Sequence, residues 1–187
     1  DDGPRHQEAL KLSYDAFLER FVDRQTFTQI YTPETLVSDS EQIINMQQRF
    51  AERDRLEPKS RILKEKAFIL QALIHKFGAS WMGERVALYR TDPIDDYLNH
   101  TDEYAVFGED KLPDPLALSV DVTFSRGVTE KLDHILKTIK DGTLTEIKYF
   151  QAGDYRGRRT HVPSIVIGVT GAQLQGLQDR WLSPRSE

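Results

Sequence analysis

The stretch Leu116-Ala-Leu-Ser-Val-Asp-Val-Thr-Phe124 decides how the rest of this chain is read. It is nearly continuous in apolar and β-branched residues, the composition of a strand covered on both sides. One carboxylate interrupts it, Asp121, between Val120 and Val122. Strand alternation places Ser119, Asp121 and Thr123 on one face and Val120, Val122 and Phe124 on the other. An ionised carboxylate inside a sheet costs several kcal/mol unless a cation or a metal compensates it. The polar face of this strand therefore needs a charged partner, or a metal, in front of it.

Working downstream, Thr129 to Lys140 carries Leu132, Ile135, Leu136 and Ile139 at helical spacing and is closed by Asp141-Gly142. Thr145 to Phe150 and Pro163 to Thr170 read as strands, Tyr155 to Arg159 as a basic loop between them, and Gly171 to Leu182 as a last helix. Upstream, Asp102 to Phe107 is a strand and Thr91 to Asp96 a turn, whereas Arg85 to Tyr89 fits either a short strand or a helix end. Three helical patterns come first: His6 to about Arg24, a second capped by Ser38 or Ser40 and stopped by Pro58, and Lys59 to Phe77, ended by Gly78. Strand–helix–strand connections require some parallel pairing with helices over the sheet, so the fold class is α/β. The expected organisation is an N-terminal helical extension, 1–58, and an α/β core, 59–187.

The 187 residues contain no cysteine, which excludes disulfide scaffolds, thiolate metal sites and cysteine nucleophiles. No apolar run approaches the ~20 residues of a membrane span and no signal-peptide pattern opens the sequence, so a soluble, cytoplasmic protein without membrane contact is expected. Gly-rich phosphate loops, GxSxG and dinucleotide fingerprints are all missing from the sequence. The net charge of −5 leans against a non-specific nucleic-acid coat. It conceals segregation, however. Glu84 to Asp121 holds ten acids against three bases, Arg49 to Lys76 eight bases against four acids, and Arg126 to His161 eight bases against five acids. An acidic centre between basic flanks suits a metal-dependent site on a polyanion.

Asp102 opens the strand before Asp121 and stands beside it if the two strands pair. Two hard oxygen ligands on adjacent strands, completed by water, suit Mg²⁺ or Mn²⁺. Such an ion polarises a phosphate and lowers the pKa of an attacking water. Arg156, Arg158 and Arg159 in the basic loop are candidate contacts to a phosphate backbone. The five histidines form no i, i+4 pair, and His75, His134 and His161 read as surface or structural residues.

The order of elements and the Asp102–Asp121 pair resemble the PD-(D/E)xK superfamily, whose restriction-endonuclease-like core is helix, three strands, helix, strand. The resemblance spans Lys59 to Thr170. It implies a mixed sheet of four to five strands flanked by helices, and a nuclease using Mg²⁺ or Mn²⁺ to cleave phosphodiester bonds, in DNA more than RNA. Asp102 corresponds to the first acid and Asp121 to the second. Pro93-Ile-Asp-Asp-Tyr-Leu-Asn-His-Thr-Asp102 resembles an Asp-Asp…Asn-Gly-x-Asp approach, with His100 where Gly is commoner, so Asp95 or Asp96 supplies a third carboxylate. Glu65 or Glu84 corresponds to the helical glutamate and joins the metal ligands. One position departs from the pattern: Thr123 stands where the lysine belongs. Lys131, in the first turn of the next helix, is the first candidate replacement and Lys66 the second. If neither reaches the site, the resemblance implies an inactive module that only binds nucleic acid or protein. A homodimer is the assembly by which many nucleases of this fold cut two strands; the sequence leaves the assembly open.

Overall fold

Leu116–Phe124 forms a central strand, β3, in a four-stranded mixed sheet ordered β1–β2–β3–β6. The computed structural model describes residues 3–19, 21–56, 58–83, 85–108, 115–124 and 128–183. β1 (Val86–Arg90), β2 (Glu103–Phe107) and β3 make an antiparallel meander, and β6 (Ser164–Val169) pairs with β3 in parallel. The parallel pairing demands a crossover. Helix α5 (Val128–Asp141) and a separate antiparallel hairpin, β4 (Thr145–Ala152) with β5 (Tyr155–Val162), supply it.

Each face of the sheet has its own core. Leu88, Ala105, Val120 and Val122 pack on Ile69, Leu70, Leu73 and Ile74 of α3 (Pro58–Met82), Ala9 of α1 (Pro4–Ala16) and Leu174 of α6 (Gly171–Leu182). Each fully buried aliphatic side chain here is worth roughly 1.5–3 kcal/mol. On the opposite face Tyr104, Val106 and Ala117 meet Ile147, Tyr149 and Phe150 of the hairpin. Phe27, Ile43 of α2 (Pro33–Leu56) and Ile94 of α4 (Pro93–Asn99) complete that layer. The alternation read from β3 is therefore present. Val120 and Val122 enter one core, and Ser119 and Asp121 look toward the other.

Several boundaries differ from the sequence reading, for identifiable reasons. α2 begins at Pro33, ahead of the Ser38 or Ser40 cap expected, and ends at Leu56, so Pro58 bounds it as expected and opens α3; the first helical turn has no use for the N–H that proline lacks. Gly78 lies inside α3, which runs on to Met82. A Cβ there would stand 2.7 Å from Leu88 Cδ1, so this glycine serves the close approach of α3 to β1. Residues 91–96 are not only a turn. Asp92 Oδ1 accepts the Ile94 N–H at 2.9 Å, Pro93 follows, and α4 forms. The chain leaves α1 at Ala16, about eight residues before the periodicity suggests. Val22 N–H instead donates to Arg90 O at 3.1 Å, so this segment runs beside the end of β1. Arg85 to Tyr89 resolves as β1 from Val86, and Tyr155 to Arg159 lies within strand β5 and not in a loop.

Buried acids tie the layers together. Asp95 accepts the backbone N–H groups of Lys148 at 2.7 Å and Tyr149 at 3.0 Å, plus Asn99 Nδ2 at 2.8 Å. It thereby pins α4 to the hairpin. Asp39 of α2 receives Tyr149 Oη–H and Lys148 Nζ, each at 2.6 Å, while Asp92 pairs with Arg24 at 3.0 Å. On the α3 face Glu103 is wholly buried against His75 Nδ1 at 3.2 Å, and its Oε1 has no hydrogen-bond partner among the described residues. Asp95→Ala strands two buried N–H donors and is expected to destabilise the fold by about 2–4 kcal/mol. Chemical denaturation measures the loss, and hydrogen exchange should accelerate first at the Lys148 and Tyr149 amides. A loss under about half a kcal/mol would show that water replaces the carboxylate.

Candidate active site

Asp102 immediately precedes β2. The register pairs Glu103 with Val120, so the next step along the ladder sets Asp102 opposite Asp121 on the face shared with Ser119. Asp102 Oδ2 accepts the Val122 N–H at 2.6 Å. Asp121 is nearly buried and its Oδ1 is held by the ammonium of Lys131, which also donates to Val122 O at 3.1 Å. Asp96, half-buried on α4, lies close enough to Asp102 to perturb it and feels the charges of Arg90, Asp121 and Lys131. Four residues singled out in the sequence, Asp96, Asp102, Asp121 and Lys131, thus meet at one end of the sheet from four different segments.

The reason Lys131 reaches Asp121 lies in two positions of small volume. Thr123 pairs with Gly168 of β6, and a Cβ on Gly168 would collide with Val128 at the start of α5. The bare glycine lets the first turn of α5 settle on the strand pair, which aims Lys131 back at Asp121. Lys66, the second lysine candidate, sits elsewhere, with Nζ 5.8 Å from the Phe124 ring centroid on the α3 side. Gly168→Ala should therefore lift the first turn of α5, costing about 1–3 kcal/mol. NMR shifts of the Lys131 ammonium and Asp121 carboxyl should move toward solvent values. Shifts that stay in place would show that α5 holds the ion pair without the glycine.

The remaining candidates separate from this group. Glu65 accepts from His6 Nε2 and Arg61 Nε, both at 3.0 Å, and so links α1 to α3. Asp95 is engaged by the hairpin. Glu84 lies outside the described residues. The three arginines of β5 are occupied within and around the hairpin. Arg158 pairs with Glu146 at 2.6 Å, Arg156 Nη1 donates to Gly153 O at 2.7 Å, and Arg159 Nη2 donates to Pro115 O at 3.3 Å. Sequence reasoning missed Arg90, which lies near Asp96 and Asp102 electrostatically and stacks 3.9 Å from the Phe17 ring centroid. A signal for it existed, since Arg90 is one of only three cations in the acidic segment.

Two clefts open at the cluster. Asp121 and Lys131 line one of about 260 Å³, together with His100, Glu130 and His134. The two imidazole rings there stand edge to face at 5.6 Å. Asp96, Asp102 and Arg90 line a second, of about 350 Å³, walled by Phe17, Phe21 and Tyr97. Carboxylates outnumber cations in both clefts, and such hard oxygen donors suit Mg²⁺ or Mn²⁺, while His100 and His134 add ring nitrogens to the first. Its geometry is not that of a formed site: among the described residues no three His, Asp or Glu side chains are arranged to hold a metal ion. The Val122 amide occupies an oxygen of Asp102 and the Lys131 ammonium an oxygen of Asp121.

Burial raises the pKa of Asp102 well above the ordinary carboxylate range, and the charges of Asp96 and Asp121 push it further. Burial likewise raises Asp96 to about 6, opposed by Arg90. Asp92, Asp95 (to about 6) and Glu103 rise for the same first reason. For His75, burial disfavours the imidazolium, but Glu103 and the Glu19 carbonyl outweigh it and raise the pKa. Native acids with raised pKa hold protons that the unfolded chain releases near pH 4. The native state thus binds more protons between about pH 4 and 6, and its stability falls as pH rises through that window. His75 adds to the trend, its contribution being lost as pH climbs past its raised pKa. Without divalent cations, the melting temperature should be higher near pH 5 than near pH 7.5, and Asp96→Asn should shrink the difference. An unchanged profile in the variant would detach Asp96 from the cluster.

No family model, no curated protein and no solved structure matches this chain.

Proposed function

We propose that this chain is a metal-dependent nuclease, hydrolysing phosphodiester bonds in nucleic acid, DNA before RNA, in the cytoplasm. The observation that carries the reading is the convergence of Asp96, Asp102, Asp121 and Lys131 from α4, the start of β2, β3 and α5. The order α3, β1, β2, β3, α5, β6, once α4 and the β4–β5 hairpin are counted as insertions, supports it, because it is the helix, three strands, helix, strand expected of a restriction-endonuclease-like core. Membrane contact has no support, since no described helix is long and apolar enough to cross a bilayer.

In this reading Asp102 and Asp121, with Asp96 beside them, hold Mg²⁺ or Mn²⁺, which supplies Lewis acidity toward the phosphate and an activated water. Lys131 takes the part of the lysine that Thr123 replaces. Its ammonium steadies the Asp121 carboxylate before substrate binds and offers a donor to a phosphate oxygen once there. Arg90 balances the acids from the opposite cleft, where Phe21, half exposed, gives a base a surface to stack on.

A second reading is a binding module of the same architecture without catalysis. The unformed metal geometry and the threonine at position 123 favour it. Plasmid DNA and single-stranded RNA incubated with Mg²⁺ or Mn²⁺ separate the two. Cleavage by the wild type, reduced at least a hundredfold in Asp121→Asn and in Lys131→Met, is expected for the nuclease, at about 2.7 kcal/mol of lost transition-state stabilisation. Thermal unfolding of each variant distinguishes lost chemistry from lost fold. Equal cleavage by wild type and Asp121→Asn would falsify the catalytic assignment, and salt-sensitive binding without cleavage would establish the module.

A further inference from the structure

Helix α5 presents more apolar surface to solvent than its place in the sheet requires. It has no fully buried residue, and Val128, Lys131, Ile135 and Thr138 form its inward side. Leu132, Leu136 and Ile139 form a separate stripe and are 46%, 54% and 57% exposed. The spacings of four and three residues make this stripe a helix-pairing seam and not scattered surface leucine. The strand beneath α5 has the same character. β6 is the outer strand of the sheet, and Ser164-Ile-Val-Ile-Gly-Val169 contains none of the charges or prolines that usually guard such an edge.

The charges flanking the stripe say what covers it. Asp133 and Lys140 both lie on one border of the seam, and neither has an ion-pair partner among the described residues. Set a second α5 antiparallel to the first, about a two-fold axis between Leu136 and Ile139. Leu136 of each protomer then meets Ile139 of the other, and Asp133 of each lies next to Lys140 of the other. The border is self-complementary only in this antiparallel arrangement, which is the requirement of an isologous contact. We infer that α5 is the contact surface of a symmetric homodimer of this chain. Because the seam is short against the ~800 Å² per partner of a standard interface, the dimer dissociates on dilution. The inference stands independently of the catalytic reading, since none of the stripe residues belongs to the carboxylate and lysine cluster.

Light scattering and sedimentation over a hundredfold range of concentration test it on the intact chain. The wild type should pass from monomer to dimer, and Leu136→Glu should remain monomeric with an unchanged circular dichroism spectrum. Asp133→Lys and Lys140→Asp each turn both border pairs repulsive and should weaken the dimer by about tenfold. Mixing those two variants restores both attractive pairs, so a heterodimer should form where neither variant dimerises alone. A wild type that stays monomeric throughout would overturn the inference. So would a Leu136→Glu dimer of wild-type affinity, or charge variants that fail to recover on mixing.

Discussion

Everything at the functional end of this molecule depends on compensating the charge of Asp121. Its strand must be apolar to sit in the middle of a sheet, and one carboxylate on that strand faces inward beside Asp102. The Lys131 ammonium provides the compensation, and it arrives from a helix whose first turn is seated on Gly168. The ion pair therefore ties three elements, β3, β6 and α5. Asp96 and Asp102 are left partly uncompensated, and the raised pKa values follow from that imbalance. Three acids and one lysine thus come together around two clefts, Asp121 and Lys131 lining one and Asp96 and Asp102 the other.

The acidic segment performs two different jobs, which its charge balance does not separate. Asp92 and Asp95 face inward and act as hydrogen-bond acceptors, for the start of α4 and for the amides of β4. Asp96 and Asp102 turn toward the clefts. Adjacent residues in the sequence thus diverge because α4 rotates each successive side chain by about 100°, sending Asp95 into the hairpin and Asp96 to the site. A run of acids that reads as one metal-binding patch is half structural.

Several charged side chains singled out in the sequence are engaged in contacts within the fold. Arg156, Arg158 and Arg159 have the composition of a phosphate-binding loop, yet strand β5 draws their guanidinium groups into contacts with Glu146 and with nearby carbonyls. Glu65 has the expected helix and spacing, but the folding of α1 onto α3 brings His6 to it first. Long charged side chains reach several ångströms, so the partner that tertiary packing places nearest decides their role.

The sequence by itself determined the α/β class, the alternation of β3 and the candidacy of Asp102, Asp121 and Lys131. These follow from local rules of period, propensity and the cost of burying charge. It also marked Asp96, though not in preference to Asp95. That Asp102 stands opposite Asp121 came with the β2–β3 register. Only the tertiary structure decided that α4 is a helix, that residues 155–162 are a strand, that Gly78 serves a close approach inside α3 instead of ending it, that Gly168 seats α5, and that Arg90 joins the cluster. Each of these rests on contacts between segments far apart in the chain. Such contacts leave no periodic trace in a single sequence, because the constraint lies in which surfaces meet and not in the order of the residues.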